Sequence, residues 1–324
     1  MADVNPVSRL TSDDRGQLFL VTALAIAVML VSLALILNTA IYTENIATRT
    51  TDTQLDDALS GQRALVEASG QILDAENRND DNESATEIES EFNSSLTNWS
   101  TTAGTLESAN GFTVHVSYTE TSTTGVRVHQ DDPARNFTDA SGATNWDLAN
   151  NEEVRAIRLN VSQSSLNSTR SDAFRLVIDG DDDVTVFVHA NDSNVVVTVE
   201  DDSGDVVGSC EVEPTRGDSL VVDVGGRTVG TRYCAPLETV HNAVDGEADV
   251  RFENGDEAEG TYELYMTDRN TSLAALLGLT HYESADSSSW PVAQPALYDA
   301  NVTYIFYSSG TTVKKEIRIA PGEL

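Results

Sequence analysis

The chain has 324 residues, 53 of them acidic and 19 basic, for a formal charge of −34. That balance excludes a partner held by a basic surface, such as nucleic acid or anionic lipid headgroups, because like charge repels both. It also sets the compact state against its own repulsion unless salt screens it, over about 3 Å at molar salt. The composition therefore points to high-salt adaptation; an acidic disordered tail is the competing reading, opposed by apolar strand-like runs in the second half.

Residues 1–17 form a polar leader or tail with Arg9 and Arg15. Leu18 to Leu37 then reads LFLVTALAIAVMLVSLALIL, without a charge. As a helix, twenty such residues cover about 30 Å, the hydrocarbon thickness of a bilayer, and a helix satisfies its own backbone there. We expect a transmembrane helix over 18–41 with the lipid bilayer as its partner. A cleaved signal peptide would have a shorter apolar core and a small-residue cleavage site, where this chain has NTAIYTEN. A buried core helix is the other alternative, opposed by the length of the run. Arg9 and Arg15 before the run, against Arg49 soon after it, orient the N-terminus to the cytoplasm and residues 111–324 to the outside. Asn-x-Ser/Thr occurs at Asn82, Asn93, Asn98, Asn136, Asn160, Asn167, Asn191, Asn270 and Asn301, all after the run. That is about twice chance, which fits glycosylation of an exported part, with a Ser/Thr-rich composition as the alternative.

Around the run stand Asp14-Arg15-Gly16-Gln17 and, after it, Asn38-Thr39-Ala40-Ile41-Tyr42-Thr43-Glu44-Asn45. Residues 14–49 resemble a group of haloarchaeal single-span surface proteins whose N-termini look like those of type IV pilins. The resemblance implies a leader cut between Gly16 and Gln17 on the cytoplasmic side, with the apolar helix retained. It departs from pilins at Val21, where many carry Glu.

Residues 42–100 read as a helical stalk or hairpin. Leu55, Leu59, Gln62, Val66, Ser69 and Leu73 share a helical face, NRNDDN at 77–82 breaks it, and Ser84 with Glu87 forms a capping box before Ile88, Phe92, Leu96 and Trp99. The two stripes bury each other, pack on the following domain, or serve an oligomer contact. From Gly111 the period changes to two. Twelve strands are expected between Phe112 and Ile319, separated by turn pairs such as Asp179-Gly180, Asn191-Asp192 and Asn254-Gly255. A short helix is expected over Thr271 to Leu279. The fold class is mainly β with N-terminal helices: a transmembrane helix, a stalk, then an antiparallel β-sandwich-like region at 111–324, as one domain or two sub-domains.

No motif assigns a reaction. The five histidines, His115, His129, His189, His241 and His281, lack metal-ligand spacing, although His115 and His129 would face each other if their two strands paired. The acidic turn Asp179 to Asp183 suits Ca²⁺ in composition but lacks alternating ligand spacing, so a solvated hairpin tip is the default. No G-x-S-x-G or phosphate loop occurs. We expect no catalytic residues, metal site or cofactor. Cys210 and Cys234 form a disulfide if the domain is outside, or are two buried thiols. The resulting expectation is a membrane-anchored structural or interaction protein of a haloarchaeal envelope, self-associating or meeting other envelope proteins. The alternative is a tethered ligand- or glycan-binding module, and an extracellular hydrolase comes third.

Overall fold

A computed structural model describes residues 26, 27, 29–31, 33, 34, 59–79, 84–215, 217–269, 273, 281–285, 287, 289–308 and 311–322. The leader, the Gly16–Gln17 junction and most of Leu18 to Leu37 lie outside them. Within that run residues 26, 27, 29–31, 33 and 34 are helical and exposed. Among the described residues no helix is long and apolar enough to cross a membrane. The helix expected over Thr271 to Leu279 also falls outside, apart from Leu273.

Residues 59–77 are helical (α1) and Ala85–Ser108 form α2. The expected capping box is present: Ser84 Oγ accepts from Glu87 N–H and donates to the Glu87 carboxylate. Buried residues recur every four positions, at Leu65, Ser69, Leu73 and Asn77 on α1 and at Ile88, Phe92, Leu96 and Ser100 on α2. These stripes face the sheet. In α2, Phe92 packs edge-on against Tyr118, and Ser100 Oγ accepts the backbone N–H of Val116 at 2.8 Å.

The strands follow in chain order: β1 Thr113–Gln130, β2 Trp146–Ser162, β3 Phe174–Asp179, β4 Val184–Asn191, β5 Asn194–Asp201, β6 Val206–Val212 and β7 Ser219–Asp223. After β8 Thr228–Val229 and β9 Arg232–Tyr233 comes a short helix, α3 Leu237–Ala243. Then come β10 Glu247–Glu253, β11 Gly260–Thr267, β12 Glu283–Ser284, β13 Val292–Tyr307 and β14 Thr312–Ile319. They join in one 14-stranded sheet, antiparallel except at β12, with the main path β12-β13-β1-β11-β2-β10-β3-β4-β5-β6.

β2 is the pivot of this sheet. Its first half pairs with β10, and its second half pairs with β11 on one side and β7 on the other. Side chains from both arms of the path meet in one buried cluster: Val126 and Val128 from β1, Leu264 from β11, Val186 from β4 and Val197 from β5. The sheet therefore folds back over its own inner face. At the bend, Phe137, Phe174, Phe252 and Tyr262 lie with ring centroids 5.0–5.6 Å apart, edge-to-face except for the stacked pair Phe137–Phe252.

The side-chain alternation in β2 changes parity midway. Val154 is in the core cluster, and so are Ile157, Leu159 and Val161. Between them Ala156 takes the left-handed conformation (φ 53°), and the pairing with β11 shifts at the same place. One extra residue re-aims the strand, as a β-bulge does.

The condition under which His115 and His129 would face each other is not met. His115 and His129 belong to the single strand β1, so they do not face each other across a pair.

Candidate functional site: an arginine-lined pocket

The outer face of β7, β2, β11 and β1 carries a row of alternating acidic and basic side chains. Asp223 is paired in register with Arg158, Arg158 with Glu263, and Glu263 with His129. Alternation of apolar and polar residues puts them there: Tyr262 and Leu264 point into the core, so Glu263 points out, and Arg127 does the same between Val126 and Val128. The end of α1 covers the row with Asp74 and Arg78.

Three guanidiniums converge on Glu263. Arg78 forks onto it, with Nε 3.1 Å from Oε2 and Nη2 in contact with Oε1. Arg158 Nη1 lies 3.3 Å from Oε1. Arg127 reaches Oε2 from Nε and Nη2, both at 3.4 Å. Two of the arginines hold a further carboxylate, Arg78 with Asp74 at 3.1 Å and Arg158 with Asp223 at 3.0 Å. Burial pushes the Glu263 carboxyl up, but the hydrogen bond from Arg78 and the charges of Arg78, Arg127 and Arg158 outweigh it and hold its pKa below the ordinary range. Beside this cluster opens a pocket of about 460 Å³, bounded also by Asp131, Asn160 and Thr261. Asp131 pairs with His129 Nδ1 at 2.9 Å, and His129 Nε2 faces Gln294 Oε1 at 3.3 Å. The arrangement suits recognition of an anionic group by charge-assisted bonds. Residues scattered from 78 to 263 build it, so no local pattern marks its arginines beyond the Val-Arg-Val alternation around Arg127.

The residues expected to carry chemistry are dispersed. His115 Nδ1 lies 3.3 Å from Ser100 Oγ, and His281 Nδ1 lies 2.7 Å from Asp139 Oδ2. The acidic turn after β3 lines an open, polar recess with Glu247 and Asp249, and Asp179 is paired with Arg251. Among the described residues no cluster of three His, Cys, Asp or Glu side chains is arranged to hold a metal ion.

Cys210 on β6 and Cys234 after β9 form a disulfide, their Cα atoms 5.8 Å apart. It ties the edge strand β6 to the segment leading into α3. Of the nine sequons, Asn82 and Asn270 fall outside the described residues. Asn93 and Asn98 are exposed on α2, and Asn191 is exposed at the end of β4. Asn136, Asn160, Asn167 and Asn301 are half-buried. The amide nitrogens of Asn136, Asn167 and Asn191 donate to Asp256 O, Glu257 Oε2 and Glu211 Oε1.

The fold and the pocket define a β-rich protein with one continuous bent sheet, a helical hairpin on its outer face and a charged recess between them. By a family-model match over residues 12–177, just over half of the chain, it belongs to the family of unknown function DUF7261. The matched stretch takes in α1, α2, β1 and β2, with the three arginines, and stops inside β3 before Glu263. Neither a curated protein nor a solved structure matches the chain.

Proposed function

We propose that this protein is a membrane-anchored structural or interaction protein of a haloarchaeal cell envelope, with the acidic β-rich region outside the cell. The observation that carries this reading is the uncharged run Leu18 to Leu37 at the head of a chain of charge −34. The Cys210–Cys234 disulfide supports it, because such bonds persist in oxidising surroundings and are rare in the cytosol. In this reading residues 1–17 are cytoplasmic, the helix spans once, and the folded-over sheet acts as a sandwich-like ectodomain. The exposed sequon residues Asn93, Asn98 and Asn191 are its first candidates for glycosylation.

Protease added to intact cells at the salt of growth tests the topology. Loss of the β-rich region with an internal control spared is the expected result; protection until lysis overturns it. The pilin-like N-terminus is a separate part of the proposal. N-terminal sequencing of the native protein is expected to start at Gln17, and a Gly16→Leu variant is expected to keep its leader. An intact leader on most wild-type molecules rejects processing.

A second reading, a tethered ligand-binding module, is favoured by the pocket beside Arg127, Arg158 and Asp131.

A further inference from the structure

We propose that the arginine-lined pocket binds a small hydroxylated carboxylate of the hexuronic acid class. The inference deepens the second reading above and stands apart from the membrane topology.

The argument starts from Arg127. Its side chain is 5% exposed, yet it has no carboxylate of its own. Both of its contacts are long, and both go to Glu263 Oε2, the oxygen that also accepts from Arg78 Nε. Its Nη1 has no acceptor among the described residues. A guanidinium has five N–H donors in a fixed fork and cannot lose its charge. Held against a single shared oxygen, it keeps N–H donors that a ligand oxygen can take up. Arg78 and Arg158 differ, because Asp74 and Asp223 serve them from outside the pocket. Arg127 is thus the cation that an incoming carboxylate satisfies, with Arg158 on the far side of Glu263.

The next row of the same sheet face sets the rest of the ligand, since Asn160 and Thr261 are paired two residues along from Arg158 and Glu263. Asp131, Asn160 and Thr261 offer an acceptor carboxylate, an amide and a hydroxyl. Asp131 is held by His129 on one side and is 54% exposed. A bare anion gains nothing from Asp131 and is repelled by it. A carboxylate with neighbouring hydroxyls places its charge on Arg127 and Arg158 and donates to Asp131 from the hydroxyls. The recess, about 460 Å³ and open to solvent, has room for a single sugar unit.

Titration calorimetry on the full chain in detergent micelles at molar salt tests this. The probes are D-glucuronate, its methyl glycoside, D-glucose and acetate. Glucuronate is expected to bind, with glucose and acetate each about tenfold weaker or more, since each lacks one half of the recognition. Equal binding of the methyl glycoside, which blocks only the anomeric hydroxyl, assigns the site to a glycan end, and its rejection assigns it to the free monosaccharide. Arg127→Gln is expected to abolish binding. Should that variant fail to fold, Asn160→Asp decides: a carboxylate added to the pocket wall lowers affinity about tenfold by close repulsion, while Arg318→Gln, far along β14, leaves it unchanged. No heat with glucuronate, acetate binding as tightly as glucuronate, or unaltered affinity in Asn160→Asp overturns the proposal. Protease protection of the ectodomain would overturn the topology and leave this result standing, and the reverse also holds.

Discussion

Gly260 opens β11 with φ +147°, and a Cβ there would come 2.0 Å from the backbone oxygen of Asn160. Neither the angle nor the backbone neighbour can adapt, so Gly260→Ala is expected to cost about 3 kcal/mol or more, read as a lowered melting temperature. Two carboxylates set a pH dependence. Burial raises the Asp139 pKa, but the hydrogen bonds from His281, Ala143 N–H and Ser141 outweigh it and hold it below the ordinary Asp value. Glu263 is held low among its arginines in the same way. A carboxyl depressed in the folded state contributes stability above its unfolded pKa, about 4, and loses it as pH falls through the folded value. Melting temperature should therefore fall steeply below about pH 4. Asp139→Asn should flatten that fall; an unchanged slope would refute the assignment. Little of this was legible beforehand. Cys210, Cys234 and the sequons announce themselves by residue type, whereas Arg127 and Glu263 acquire meaning only when distant strands pair.

Asn77 shows what periodicity reveals at the scale of elements and what it hides. In the sequence it opens the polar break after α1. In the structure it is 1% exposed, and its amide pairs with the Leu297 backbone, donating to the carbonyl at 2.9 Å and accepting from the N–H at 2.8 Å. Gln294 Nε2 donates to the Asn77 carbonyl at 3.0 Å. These bonds serve β13 where its pairing with β1 slips by a residue. Asn77→Ala would leave a buried N–H and C=O unserved, at about 1–3 kcal/mol each. The expected outcome is a loss of about 2–4 kcal/mol, with faster hydrogen exchange in α1. Retained protection there would show that apolar packing alone holds the helix. Stripes and caps made both helices readable, and apolar alternation located most strands. The sequence pattern splits β1 into two strands, 112–119 and 125–129, because TETSTT interrupts it; in the structure Glu120 turns left-handed and the strand continues past it. α3 is seven residues long, too short for a period to emerge. β8, β9 and β12 have two residues each and leave no pattern at all.

At the scale of the whole molecule, charge and fold pull against each other. Acidic residues exceed basic ones by 34, and many of the described arginines are committed to local pairs such as Arg175–Glu253, Arg227–Glu238 and Arg318–Asp299. The excess therefore sits on exposed turns, with Asp181, Asp182 and Asp183 after β3 and Asp202 and Asp205 between β5 and β6. The opposing term is the burial shared by both arms of the sheet, which is nonpolar and gains nothing from pairing charges. Lowering salt from molar to about 0.1 M extends the screening length from about 3 Å to about 10 Å, enough to couple neighbouring turns. We expect the melting temperature of the full chain in detergent micelles to fall continuously over that range. The full chain is required, because a fragment from Gly111 onward would strip Ile88, Phe92 and Leu96 from the outer face of the sheet. Replacing Asp181, Asp182 and Asp183 together by Asn should shallow the dependence, since it removes repulsion without touching a core residue. Salt can also strengthen apolar burial by exclusion from the surface. Sucrose at low salt separates the two causes: it strengthens burial but screens nothing, so it should recover only part of the lost stability. A melting temperature insensitive to salt, or fully recovered by sucrose, would overturn the electrostatic account.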